Sequence, residues 1–429
     1  MSIFGKLVKD ISFDDIKDLE KEGSQENIIL EFKGDLVGPD ATIKTIKTIK
    51  ELSAFANTYG GYLVVGIADD GNGRVKSLDG VAPKPNYSQT LVNWCLEHIY
   101  PPITPSVSPP IDHPTDTDKV FYVIHVEQSS EAPHFLTSRR GCYIRVGEHS
   151  KPFEPKLATY EDIQHLANRR RQAEDKREMI LRRADKRFDE HMKRFCAEAK
   201  LAGDVGARLT LAIVPSYPGR QLATIDRLDE LVRKEAHIQI NGGQFPQGNA
   251  QSQHDGFFYR ASDVYVEVDV NGLIFYGCTI TKRMLPESPQ DESQRKPIDC
   301  LTMMLSIVLF LSHARYFYPN FGYDGWIRVY AGMAAIKDRR IINPCRIMGR
   351  IAADFDANHR CLLDEDFEFS LEKNARQLQG ELDQIAQEIY EHICFACGWP
   401  DVRRNINLTE ELIKCAFKTL HIDCEQAQK

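Results

Sequence analysis

Residues 26–70, ENIILEFKGDLVGPDATIKTIKTIKELSAFANTYGGYLVVGIADD, constrain the fold more than any other part of the chain. Ile28, Ile29, Leu30 and Phe32 form a β-prone run. Alternation along a strand puts Glu31 and Lys33 on one side and Phe32 on the other, toward a core. Ile46, Ile49, Leu52 and Ala56 recur at helical spacing over residues 45–57, and Gly60-Gly61 ends that helix. Residues 62–67 then resume as a strand that runs into the turn signal Ala68-Asp69-Asp70-Gly71. The order strand, helix, strand places the carboxylates of Glu26, Glu31 and Asp69 where the two strands bring them together.

Such a set has a chemical use. Carboxylate oxygens are the ligands that hard divalent ions take, and one or two such ions generate hydroxide and neutralise a phosphate oxygen in phosphodiester cleavage. Lys33 would hold the phosphate or the attacking water. The commoner role of acids and lysines on a strand is a solvated sheet face.

The pattern E-x4-E-F-K, then S-A-F-A-N-T-x-G-G-Y-L-x-x-G-I, then D-D-G, resembles the Schlafen-type AlbA-like domain. A later stretch, Ala132-Pro133-His134-Phe135 through Gly141-Cys142-Tyr143-Ile144-Arg145-Val146-Gly147, resembles that domain's closing hairpin. The resemblance covers about residues 10–165. It implies a three-carboxylate site that binds Mg2+ or Mn2+ and cuts structured RNA such as transfer RNA. Residue by residue, the family's two glutamates match Glu26 and Glu31, its aspartate matches Asp69, and its lysine matches Lys33. All three acids are present.

The chain has 429 residues, enough for two or three domains, and its make-up is that of an ordinary globular protein. A net charge of -8 excludes a generally basic nucleic-acid coat, so nucleic acid must be met by a local basic patch or through a metal. Eleven cysteines lack the short regular spacing of a disulfide scaffold, and the first residues carry no signal peptide, which together point to a cytoplasmic protein. Residues 301–312, the longest apolar run, are too short to span a bilayer and are expected to form a buried helix without membrane insertion.

Taken in order, residues 1–25 hold a short helix around Ile11, Phe13, Ile16 and Leu19 with Ser12 as its cap. A helix is expected at 86–99 with Leu91, Trp94, Cys95 and His98 on one face, and a strand at 119–127 before the hairpin 133–147. Arg139, Arg140 and Arg145, with Lys33 and Lys151, are candidate phosphate contacts, because the guanidinium fork grips phosphate with two donors. Residues 162–195 read as one long helix. Basic side chains outnumber acidic ones along it, and Arg169, Arg170 and Arg171 make it the second candidate nucleic-acid surface. Its plain reading is an interdomain or dimer-forming helix.

Beyond it, strands are expected at 208–215 and 326–333, helices at 225–234 and 298–318, and a hairpin over 256–276 turning at Asn271-Gly272. Residues 241–255 read as a loop, and the chain from 371 onward as helical. Cys394-x2-Cys397, with Cys415 and Cys424, admits a zinc site, but buried thiols at helical spacing are commoner.

The expected fold class is α+β. It comprises an AlbA-like mixed α/β domain at 1–160, a long charged helical connector at 161–202, and an α/β unit with a helical C-terminus at 203–429 that serves as sensor or partner-binding module. Two functions compete. One is a metal-dependent endonuclease acting on structured RNA, in anti-phage defence or stress response. Schlafen proteins pair two such lobes around their substrate, so a single lobe implies a homodimer or higher homo-oligomer. The other is a DNA- or RNA-binding regulator that does not cut.

Overall fold

In a computed structural model of the chain, residues 26–70 form the expected sequence of elements, with the two main strands parallel. The structure describes residues 3–6, 8–21, 23–36, 42–138, 141–146, 154–200, 206–240, 243–280, 297–323, 325–339, 341–342, 361, 366–398 and 406–420. Two units are distinguished, Met1–Ala173 and Glu174–Lys429, and their boundary falls inside the long helix. The architecture is α+β.

In the first unit, α1 (Phe13–Lys21) leads into β1 (Leu30–Lys33), α2 (Thr42–Asn57) and β2 (Gly60–Val65). There follow the antiparallel pair β3 (Ile67–Asp69) and β4 (Val75–Leu78), then α3 (Tyr87–His98) and β5 (Ile99–Tyr100). The short strands β6 (Ser106–Val107) and β7 (Ile111–Asp112) precede β8 (Val120–Glu127). The unit closes with β9 (Phe135–Leu136), β10 (Gly141–Ile144) and β11 (Lys156–Leu157), followed by α4 (Tyr160–Glu198).

Strand β1 is the edge of a sheet ordered β1-β2-β8-β6. Every residue of β2 is buried, as a strand covered on both faces requires. Leu63 and Val65 point to the side of α2 and α3, where they meet Ile49, Leu52, Phe55, Leu91 and Trp94. Tyr62 and Val64 point to the side of α1, where they meet Ile16, Leu19 and Phe32. The period of two therefore fixes the site as well: Phe32 shares the α1 side, and Glu31 and Lys33 look toward α2. Gly61 is forced by this packing, since a Cβ there would lie 2.3 Å from the Phe55 ring.

Three boundaries differ from expectation. Strand β1 begins at Leu30, because Ile28 and Ile29 sit in a turn; α2 begins at Thr42, three residues before the expected start, and ends at Asn57 as expected; and Gly60-Gly61 opens β2 rather than closing the helix.

The second unit is built on a seven-stranded antiparallel sheet. Its order is Gln251–Gln253, Gly256–Ala261, Val264–Asp269, Ile274–Thr279, Arg208–Pro215, Trp326–Ala334 and Phe367–Asn374. Leu209, Leu211 and Ile213 face the apolar helix Cys300–Asn320 and the helix Leu382–Ala396. Ala212 and Val214 face Ile180, Leu181, Ala184 and Phe188 of α4.

The expected hairpin over 256–276 is in fact three strands, with a first turn at Ser262 and a second at Asn271-Gly272. Residues 241–255, read as loop, contribute the strands Gly243–Phe245 and Gln251–Gln253. The chain from 371 is not helical at first. Phe367, Phe369 and Leu371 alternate along the sheet's last strand, and helices begin at Gln377.

The helix Cys300–Asn320 is long and apolar enough to cross a membrane, and 67% of its most apolar window is buried inside the protein. Cys394 and Cys397 lie in the core of this unit, 1% and 2% exposed. Cys424 and the side chain of Cys415 lie outside the described residues.

Candidate active site

The site grows from the edge position of β1. An edge strand leaves backbone N–H groups unpaired, and Glu26 answers one of them: its Oε1 accepts from Phe32 N at 2.9 Å. Glu26 N in turn donates to Gly73 O at 2.7 Å, which ties the start of β1 to the turn after β3. Gly73 makes room for this, since a Cβ there would stand 3.1 Å from Glu26 Oε2. Asp69 ends β3, is exposed, and accepts from Gly71 N through Oδ2 at 3.0 Å.

On the α2 side of β1 the charges are closely paired. Lys33 Nζ donates to Glu31 Oε1 and lies 3.3 Å from Glu51 Oε1. Arg145 Nη2 donates to Glu31 Oε2 at 2.9 Å and to Asn27 O at 3.1 Å, and its guanidinium stacks 4.4 Å from the centre of the Phe55 ring. Burial would raise the Glu31 carboxyl, but the charges of Lys33 and Arg145 outweigh it and hold the group below the usual range. Glu26 goes the other way: burial raises it first, the charge of Glu31 adds to that, and Asp69 contributes a smaller push. Glu26 therefore stands within electrostatic reach of both Glu31 and Asp69.

Their oxygens differ in availability. Glu26 Oε2 and Asp69 Oδ1 have no hydrogen-bond partner among the described residues. Glu31 has both oxygens occupied, by Lys33 and by Arg145. Among the described residues no group of three or more His, Cys, Asp or Glu side chains is placed to hold an ion. The donors suit a hard divalent cation in chemistry, but the set is not closed around one.

The basic candidates separate. Arg145, expected as a surface phosphate contact, has a fully buried side chain and serves Glu31. Arg169 donates to Thr58 O at 3.2 Å and Asn57 O at 2.9 Å, so it caps the last carbonyls of α2 rather than reaching outward. Arg171 is exposed and Arg170 half-buried. Arg139, Arg140 and Lys151 lie outside the described residues.

Two residues of this neighbourhood were not singled out from the sequence. Glu51 lies off the apolar stripe of α2, which reads as solvent, but its side chain is buried beside Lys33 of β1. Asn57 Nδ2 donates to His134 O at 3.0 Å and to Tyr143 O at 2.9 Å, and its Oδ1 accepts from His134 N at 2.8 Å. It pins the closing hairpin to the end of α2.

His134 itself is buried, donating from Nδ1 to Pro101 O at 2.6 Å, and burial pushes it down to about 4. Below its ordinary value of 6.5 the unfolded chain takes up a proton that the folded unit refuses. Stability is therefore expected to fall between pH 6.5 and pH 4, by up to about 3 kcal/mol from this group. Denaturant midpoints at pH 7 and pH 4.5 check this against His134→Asn, whose amide still reaches Pro101 O and which should lack that component.

The first unit is a mixed α/β domain in which Glu31 and Lys33 lie on the edge strand, Glu26 and Asp69 lie near it, and Arg145 reaches Glu31 from beyond β10, a set that points to a nucleic-acid-related function. Residues 26–154 match the family Schlafen, AlbA_2, and the chain carries a Schlafen AlbA_2 domain there.

Among solved structures, the N-terminal domain of a RecG-related protein from Nitrosomonas europaea is 21% identical, over 31% of this chain and 90% of that one, with a TM-score of 0.23. The DIP2311 protein from Corynebacterium diphtheriae is 19% identical, over 33% of this chain and 29% of that one, with a TM-score of 0.23. No curated protein matches the chain.

Proposed function

We propose that the Schlafen AlbA_2 domain is a divalent-metal-dependent endonuclease acting on structured RNA of the transfer-RNA kind. The observation that carries this is the electrostatic strain on Glu26, which is held above its ordinary range by burial, by Glu31 and by Asp69. A cation is the charge that relieves such a set. Glu26 and Asp69 would hold Mg2+ or Mn2+ through their open oxygens, and Glu31 would join them on release from Lys33 or Arg145. The ion would supply a hydroxide and neutralise phosphate charge. Lys33 lies next to Glu31 and offers an ammonium to a phosphate oxygen. Recognition by shape and phosphate fits a folded RNA, and a single lobe leads us to propose a homodimer.

A second reading, a module that binds nucleic acid without cutting it, is favoured by the occupation of both Glu31 oxygens. Glu31→Ala separates the two. In the nuclease, cleavage is expected to fall about a hundredfold or more while RNA binding, measured by gel shift, is retained. In the binding module there is no cleavage to lose, and binding stays the same or tightens as a negative charge is removed.

A further inference from the structure

Glu51 has no role in the reading above, and its surroundings are unusual. It sits on α2 with 1% of its side chain exposed, its Oε1 3.3 Å from Lys33 Nζ and its Oε2 buried with no hydrogen-bond partner. A buried carboxylate is expensive to keep charged, and burial, with the charge of Glu31 adding to it, raises this one to about 7 against the pull of Lys33.

Lys33 already has a partner in Glu31. A lysine on an edge strand ordinarily extends its ammonium to water, yet here the side chain is 19% exposed and turned in between two acids. With Glu31 bound to it, Lys33 has its charge met by one acid, and the second acid adds a further contact that fixes where the buried ammonium sits. That contact becomes necessary once Glu31 turns an oxygen toward another ligand, because the ammonium would otherwise be left unpaired in a buried place.

We propose that Glu51 is a positioning residue that fixes the Lys33 ammonium beside Glu31 and retains it when Glu31 oxygens are given to a cation. This rests on the nuclease reading for its purpose, but not for its geometry. Glu51 touches no substrate in this account and acts through Lys33.

The test uses the full chain labelled with 15N-lysine, the Lys33 ammonium signal being assigned by its absence in Lys33→Arg. The wild type is expected to show a protected, slowly exchanging Lys33 signal without metal or RNA. Glu51→Gln, isosteric and uncharged, should lose it, and Glu51→Asp should restore it in part. In transfer-RNA cleavage with Mn2+, Glu51→Gln should lower kcat by about 10- to 100-fold and leave KM unchanged.

A Lys33 signal that is unchanged in folded Glu51→Gln overturns the proposal. Should Glu51→Gln not fold, Glu51→Asp decides instead: withdrawal of the carboxylate by one methylene must shift the Lys33 signal, and an unshifted signal refutes the role. If the wild type cuts nothing, the nuclease reading fails by itself, and the metal-free Lys33 signal still decides the part played by Glu51.

Discussion

Arg145→Met is expected to destabilise the first unit by about 3–5 kcal/mol, since it removes one partner of a buried ion pair and strands the other. The Arg145 side chain is fully buried, and Glu31, at 10% side-chain exposure, would be left with Lys33 alone. Methionine fills much of the arginine stem's volume, so most of the loss reports the charge rather than a cavity. Urea denaturation followed by tryptophan fluorescence measures it, Trp94 being buried in this unit's core. Adding Glu31→Gln should recover a good part of the loss, because the double variant contains no stranded carboxylate. A single variant within about 0.5 kcal/mol of wild type, the range of an ordinary surface substitution, would show that the pair contributes nothing to the fold.

Asn57→Ala should be nearly as damaging. It leaves the carbonyls of His134 and Tyr143 and the His134 N–H without their partner in a place that is 1% exposed for Asn57 itself. Each buried group left unsatisfied costs about 1–3 kcal/mol, so a total of about 3–5 kcal/mol is expected after partial relaxation. Hydrogen exchange at the His134 amide should accelerate along with the fall in denaturant midpoint. Asn57→Asp should not rescue, because a carboxylate accepts from His134 N but offers no hydrogen to either carbonyl. Unchanged exchange at His134 would mean that the hairpin is held by other contacts.

What the sequence revealed, and what it hid, follows from how far each feature depends on distant chain. The placement of Glu31 and Lys33 opposite Phe32 needs only the period of two, and it was legible. The role of Arg145 was not, because its partner Glu31 lies 114 positions earlier in the chain. An arginine beside a glycine-bounded hairpin reads locally as surface.

Glu51 was hidden for a related reason. The apolar stripe of α2 describes one covered face, while the Glu51 side chain off that stripe is also buried, beside Lys33 of a strand 18 positions earlier. Over 367–374 the alternation of Phe367, Phe369 and Leu371 was present but was overridden by the helix-forming composition that follows. Arg169 shows the opposite error. Its charge suggested nucleic acid, but the guanidinium is taken up by the carbonyls of Ala56, Asn57 and Thr58 at the end of α2.

The most direct test of the central claim is cleavage of purified bulk transfer RNA, beside single- and double-stranded DNA, with Mn2+, with Mg2+ and with chelator. Wild type is compared with Glu26→Ala, Glu31→Ala and Asp69→Ala. The account predicts cutting of transfer RNA that requires the metal and that all three variants lose. Cleavage that persists in chelator or in the three variants would contradict it, as would the absence of cleavage of any nucleic acid under every condition.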